Sequence, residues 1–120
     1  MTTAEIAADF MKLMIEEDEA GYQAYWSDDI VSLEPEGGEM QRVEGREALL
    51  AKHKWWDENA EMHSTSMTGP YVNGDKFTVR FSMDVTFMGE RAKMDEIGLY
   101  TVKDGKIVEE EFFAPHGDYA

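Results

Sequence analysis

Phe77-Thr78-Val79-Arg80-Phe81-Ser82-Met83-Asp84-Val85-Thr86-Phe87-Met88 carries a large apolar side chain at each odd position from Phe77 to Phe87, and polar residues at nearly every position between. Side chains along a strand point to opposite faces in turn, so this period of two predicts one long strand with an apolar and a polar face. Just upstream, Asn73-Gly74 is a hairpin signal that joins it to a preceding strand over His63–Val72. Gly69-Pro70 inside that preceding strand reads as a bulge or bend. Downstream, Met94–Val102 and Lys106–Ala114 read as two more strands, joined at Lys103-Asp104-Gly105.

The period changes toward the N-terminus. Thr2-Thr3-Ala4-Glu5 matches a capping box. Ile6, Phe10, Leu13 and Met14 follow at helical spacing. The run Glu16-Glu17-Asp18-Glu19 opposes the negative end of the helix dipole and marks a break. Tyr22, Tyr25 and Trp26 give a shorter helical stripe that ends at an Asp28-Asp29 turn, and a brief strand then runs into Glu34-Pro35. Proline biases Glu34 toward extended geometry. Glu36-Gly37-Gly38-Glu39 reads as a turn, and Gly45 opens a third helix from Arg46 to about Glu61, with Leu49, His53, Trp56 and Ala60 on one face. Helices first and hairpins after predict an α+β fold: three N-terminal helices packed on a curved, mostly antiparallel sheet, in a single domain over residues 1–120.

Composition removes several function classes. The chain has no cysteine, which excludes disulfides, thiolate catalysis and Cys-ligated zinc. A formal charge of −15 repels phosphate backbones and anionic lipid, so neither nucleic acid nor a membrane surface is an expected partner. No apolar run approaches the ~20 residues of a membrane span. No secretory leader is visible either, and a cytoplasmic location is expected. Metal-ligand spacings, a nucleophile elbow, a phosphate-cradling loop and a dinucleotide fingerprint are all missing, so no metal and no cofactor are expected.

Three local markers carry a resemblance: Ser27-Asp28-Asp29 before the first strand, Gly45-Arg46-Glu47 opening the third helix, and Asp104-Gly105-Lys106-Ile107 in the last hairpin. In this order they resemble the nuclear transport factor 2-like superfamily, in its SnoaL-like and ketosteroid isomerase-like branch. The resemblance implies a cystatin-like cone with an internal pocket for a small hydrophobic molecule, and a homodimer through the outer sheet face. The isomerase pattern of two aspartates, four residues, then Asp-Pro is matched by Asp28-Asp29 and Glu34-Pro35, which implies Glu34 as the base. The isomerase's two oxyanion donors, a tyrosine and a protonated aspartate, fall on Phe10 and close to Gly98. A genuine ketosteroid isomerase is therefore not implied.

The candidate acids come from the last two strands. A three-residue turn at Lys103-Asp104-Gly105 pairs Val102 with Lys106 and places Glu96, Gly98, Tyr100, Val108, Glu110 and Phe112 on one face. A two-residue turn, Asp104-Gly105, moves Glu110 to the other face. In the first case Glu96 and Glu110 can share a proton and act as acid to Glu34's base. His63, at the start of the second strand, is a candidate proton shuttle. Phe10, Met14, Tyr22, Trp26, Trp56, Phe81, Tyr100 and Phe112 are the candidate substrate-binding residues. Two functions follow: a cofactor-free isomerase- or cyclase-type acid–base enzyme on a small hydrophobic carbonyl compound, or a non-catalytic binding or dimerisation domain.

Overall fold

The computed structural model describes residues 1–35 and 41–114. The Glu36–Glu39 turn lies outside the described residues. In chain order the elements are α1 (Thr3–Ile15), α2 (Glu19–Gln23), β1 (Trp26–Leu33), β2 (Arg42–Glu44), α3 (Arg46–Asn59), β3 (Ala60–Asn73), β4 (Lys76–Phe87), β5 (Glu90–Lys103) and β6 (Lys106–Phe113). The six strands form one curved sheet in the order β2-β1-β6-β5-β4-β3. Only the β1–β6 pair is parallel; the other four are antiparallel. The predicted α+β architecture is therefore present, with a short extra strand, β2, at one edge.

The helices start and stop for local reasons. Thr2 accepts from the Glu5 N–H while Glu5 accepts from the Thr2 N–H, the reciprocal cap expected of this sequence. α1 ends at Ile15, before the acidic run, and Glu17 takes a left-handed φ of 58°. Gly45 begins α3 at φ 93°, and its N–H donates to the Ile30 carbonyl, which ties the helix to β1. Arg46 fastens the same corner by donating to the Gln23 and Trp26 carbonyls and lying over the Trp26 ring. α3 stops at Asn59, two residues earlier than the periodicity predicts.

The helices pack on one face of the sheet. Ile6, Ala7, Phe10 and Met11 of α1 and Leu49 of α3 bury against Trp26, Ile30, Phe77, Val79, Phe81, Tyr100, Val102 and Ile107. Burying side chains of this size contributes roughly 1.5–3 kcal/mol each. The opposite face is wet and ion-paired: Arg80 and Ser82 reach Asp95, and Arg91 clasps Asp84. Among the described residues no helix is long and apolar enough to cross a membrane.

Two sequence readings change, and an alternative left open at the last turn is decided. Asp28-Asp29 is not a turn; both residues lie inside β1, as does Trp26, which belongs to a strand and not to the second helical stripe. The β1–β6 register shifts between Trp26 and Val31, and Trp26, Ile30 and Ser32, all of one strand parity, face inward. The turn at Asp104-Gly105 holds two residues, with Lys103 opposite Lys106, so Val102 does not pair with Lys106. Positive φ at both Asp104 and Gly105 is the geometry of a tight hairpin turn, which an Asp-Gly pair favours.

Candidate functional site

That turn alone would send Glu110 to the outer face. A bulge cancels it. Val102 pairs with Ile107 but Thr101 pairs with Glu109, so Val108 is the extra residue and the register moves by one. Ile107 and Glu110 consequently both point inward, with Ile107 buried where Val108 was expected. The inner face is then laid out in rows. Ser32, Glu110, Tyr100 and Phe77 stand side by side on β1, β6, β5 and β4; Phe112, Gly98 and Val79 form the next row; Glu96 and Phe81 lie in the row beyond. Glu34 follows β1 directly, its N–H donating to the Gln41 carbonyl.

Lys52 closes the cluster from above. It lies one turn beyond Leu49, which is fully buried, so the helix face that anchors α3 also aims this lysine at β1. Its ammonium is 2.6 Å from Glu34 Oε1 and donates to Ser32 Oγ at 2.9 Å; it lies 5.6 Å from the centre of the Phe112 ring. Ser32 Oγ in turn donates to Glu110 Oε2 at 2.8 Å. Lys52 and Ser32 were not singled out from sequence, although signals existed: Ser32 has the same strand parity as Glu34, and Lys52 flanks the Leu49–His53–Trp56 stripe.

Burial sets the protonation states. Glu110 is only 3 % exposed. Desolvation pushes its carboxyl up to about 7; the Ser32 hydrogen bond and the Lys52 charge oppose the rise, and Glu34 adds to it. Glu96 also rises to about 7, first through desolvation, then through the Glu34 charge, with Lys52 opposing and Glu110 adding. Both carboxyls are therefore placed near neutral pH, chiefly by burial. Among the described residues Glu96 has no hydrogen-bond or ion-pair partner. Tyr100, desolvated and beside Glu110, is held well above the usual phenol range, so its hydroxyl stays a donor.

Gly98 explains the Tyr100 pose. A Cβ there would sit 2.9 Å from both Cε2 and the hydroxyl of Tyr100. The missing side chain lets the phenol lie along the strand over Gly98, stacked on Phe77 at 4.9 Å and edge-on to Phe10 at 5.1 Å. Phe112 meets the same ring edge-on at 6.3 Å.

The remaining candidates divide. Phe10, Trp26 and Phe81 are buried in the core, with Met14 and Tyr22 packed against it. Desolvation raises the Tyr22 phenol to about 12. His53 packs its ring against Trp26 at 5.0 Å, and desolvation, helped by the Lys52 charge, lowers its pKa. Trp56 stacks on Phe87 at the far end of α3. His63 is exposed, its Nε2 2.7 Å from Thr86 Oγ1. It stands on the outer face with Asp84 and Arg91, so the structure does not bring it to the three glutamates. Among the described residues no group of three or more His, Asp or Glu side chains is arranged to hold a metal ion.

The SnoaL-like domain family matches residues 1–114. The chain is a member of the SnoaL-like family. It is similar to a candidate SnoaL-like polyketide cyclase from Mesorhizobium loti, at 53 % identity over 94 % of this chain and 99 % of that one, with a TM-score of 0.90. A candidate isomerase from Bacillus subtilis shares 21 % identity over 96 % and 90 % of the two chains, TM-score 0.78. A cystatin-like-fold protein of unknown function from Xanthomonas campestris shares 19 % identity over 97 % and 92 %, TM-score 0.80. At these lower identities the likeness of this SnoaL-like chain is one of fold. A comparison with curated proteins found no match.

Proposed function

We propose that this SnoaL-like protein is a cofactor-free acid–base enzyme of the isomerase or cyclase type, acting on a small hydrophobic carbonyl compound. One observation carries the reading: Glu34, Glu96 and Glu110 gather on the inner sheet face around one lysine, and two of them are held near pH 7. A general acid and a general base work best when their pKa values lie near the working pH. Glu34, ion-paired to Lys52, takes the base role, and Glu96, which has no partner among the described residues, takes the acid role. The Tyr100 hydroxyl is a donor for a developing enolate oxygen, in place of the donors that Phe10 and Gly98 do not provide. Tyr22 and Phe112, partly buried against the core beside these groups, suit an apolar skeleton, and the chain's charge disfavours an anionic substrate. The likeness to the Mesorhizobium loti protein supports the cyclase side of the reading.

The test is exchange of the acidic α-protons of a panel of small cyclic ketones and β-ketoesters in D₂O, followed by NMR. The wild type accelerates exchange of at least one compound, and Glu34→Gln and Glu96→Gln each lose about 10²-fold or more while remaining folded. Retained exchange in both variants, or none in the wild type, overturns the reading.

The Lys52–Glu34 ion pair favours a second reading, in which the carboxylates are locked and the protein only binds an apolar molecule. Thermal stabilisation by compounds that are recovered chemically unchanged would support it.

A further inference from the structure

We propose that Lys52 and Ser32 form a one-way hydrogen-bond relay that fixes Glu110, forcing its Oε2 to accept and leaving Oε1 as the only oxygen that can carry the proton. Its use in catalysis rests on the acid–base reading above, but its geometry does not. An ammonium group has three donors and no acceptor. Lys52 Nζ lies 2.9 Å from Ser32 Oγ, so the hydroxyl oxygen must accept there. A serine has a single proton to give, and the other partner within reach is Glu110 Oε2 at 2.8 Å. That oxygen must then be an acceptor, because a proton on it would meet the serine proton head-on. Ser32 is fully buried, so no solvent offers the hydroxyl another orientation.

The relay gives one lysine two tasks. It holds the Glu34 carboxylate and, through Ser32, it orients Glu110. Ser32 is therefore a positioning residue: it acts through Glu110. The charged and titratable groups that face Glu110 come from four elements: Glu34, just past β1; Lys52 on α3; Glu96 and Tyr100 on β5; and Tyr22 on α2. Because the Lys52 and Glu34 charges also act on its titration, the relay must be separated from simple electrostatics.

A double-mutant cycle does this without substrate, so its failure is distinct from failure of the enzymatic reading. The protein is labelled with ¹³C at glutamate carboxyls, Glu110 is assigned through Glu110→Gln, and its chemical shift is followed against pH. Loss of a charge-assisted hydrogen bond in Ser32→Ala raises the Glu110 midpoint by about one pH unit. In a Lys52→Met background the same change has about half that effect or less, because a serine released from the ammonium can turn and accept from protonated Glu110. A Lys52→Arg background, whose guanidinium also only donates, keeps the full Ser32→Ala effect. Ser32→Thr, which retains the hydroxyl, restores the wild-type midpoint to within about 0.3 units. Equal Ser32→Ala shifts in the Lys and Met backgrounds overturn the relay, as does an unmoved midpoint in Ser32→Ala. Should Ser32→Ala not fold, Ser32→Cys, whose thiol is a weak donor of nearly the same size, takes its place in the cycle: a shift that shrinks in the Lys52→Met background supports the relay, and equal shifts in the two backgrounds refute it.

Discussion

Glu110→Gln should make the protein more stable, and by an amount that depends on pH. In the folded chain the Glu110 carboxyl is raised from 4.5 to about 7, chiefly by burial. An acid whose folded pKa lies above its unfolded value favours the folded state only while protonated. Its destabilising effect is absent below the unfolded value near 4.5, grows as pH rises to about 7, and is constant above that. A rise of about 2.5 units corresponds to roughly 3 kcal/mol at pH 8. At pH 5 the folded carboxyl is protonated and the unfolded one is mostly ionised, leaving about 1 kcal/mol. Glutamine mimics the protonated acid at every pH and can still accept from Ser32, so it removes this cost.

The measurement is urea unfolding of wild type and Glu110→Gln at pH 5 and pH 8, both above the sequence pI of 4.4. With slopes of about 1–3 kcal/mol/M for a chain of this size, the variant's midpoint should exceed wild type by about 1 M or more at pH 8. The margin should shrink markedly at pH 5. A margin that does not change with pH, or a variant less stable than wild type at pH 8, would refute a raised Glu110 and with it the carboxyl's fitness as an acid near neutrality.

Three further outcomes follow from the geometry. Gly98→Ala should cost about 1–3 kcal/mol in the same unfolding assay, because its Cβ would meet Tyr100 at 2.9 Å and displace the phenol from its place on Phe77; a neutral substitution would show that the close approach is soft. Leu49→Ala should cost about 2–5 kcal/mol by emptying a fully buried position, and should loosen Lys52 from Glu34, seen as broadened lysine side-chain resonances. Gly105→Ala should cost about 1 kcal/mol, since φ is +79° there, and urea midpoints would show it.

The parts of the fold legible in the sequence are those where one local rule decides. Alternation from Phe77 to Phe87 produced β4 with its odd positions inward, and the Thr2–Glu5 box opened α1. Asp28-Asp29 misled because aspartates favour turns, whereas here an eight-residue strand carries them on its exposed stretch, between Trp26 and Val31, which both pair with β6, and next to Ile30, which accepts a hydrogen bond from Gly45. Tertiary pairing overrode local propensity. At the site, Glu34 was placed by pattern, but its partner Lys52 comes from another element, and no spacing rule joins residues that meet across a helix–strand contact.

Glu110 shows why the site was harder to read than the fold. Glu109, Glu110 and Glu111 are the same residue three times, so nothing in the local sequence says which one is inside. The answer depends on the sum of two independent one-residue choices, the turn at Asp104-Gly105 and the bulge at Val108. Either alone would put Glu110 among the solvated side chains; together they return it to the face of Glu96 and Tyr100. Because the protein contains no cysteine, a cysteine scan can read this register directly. Glu110→Cys should react with a small thiol reagent about tenfold or more slowly than Glu109→Cys and Glu111→Cys, since its exposure requires local opening of the sheet. Equal reactivity at all three positions, or protection at Glu109 or Glu111 instead, would place the bulge elsewhere and take Glu110 out of the site.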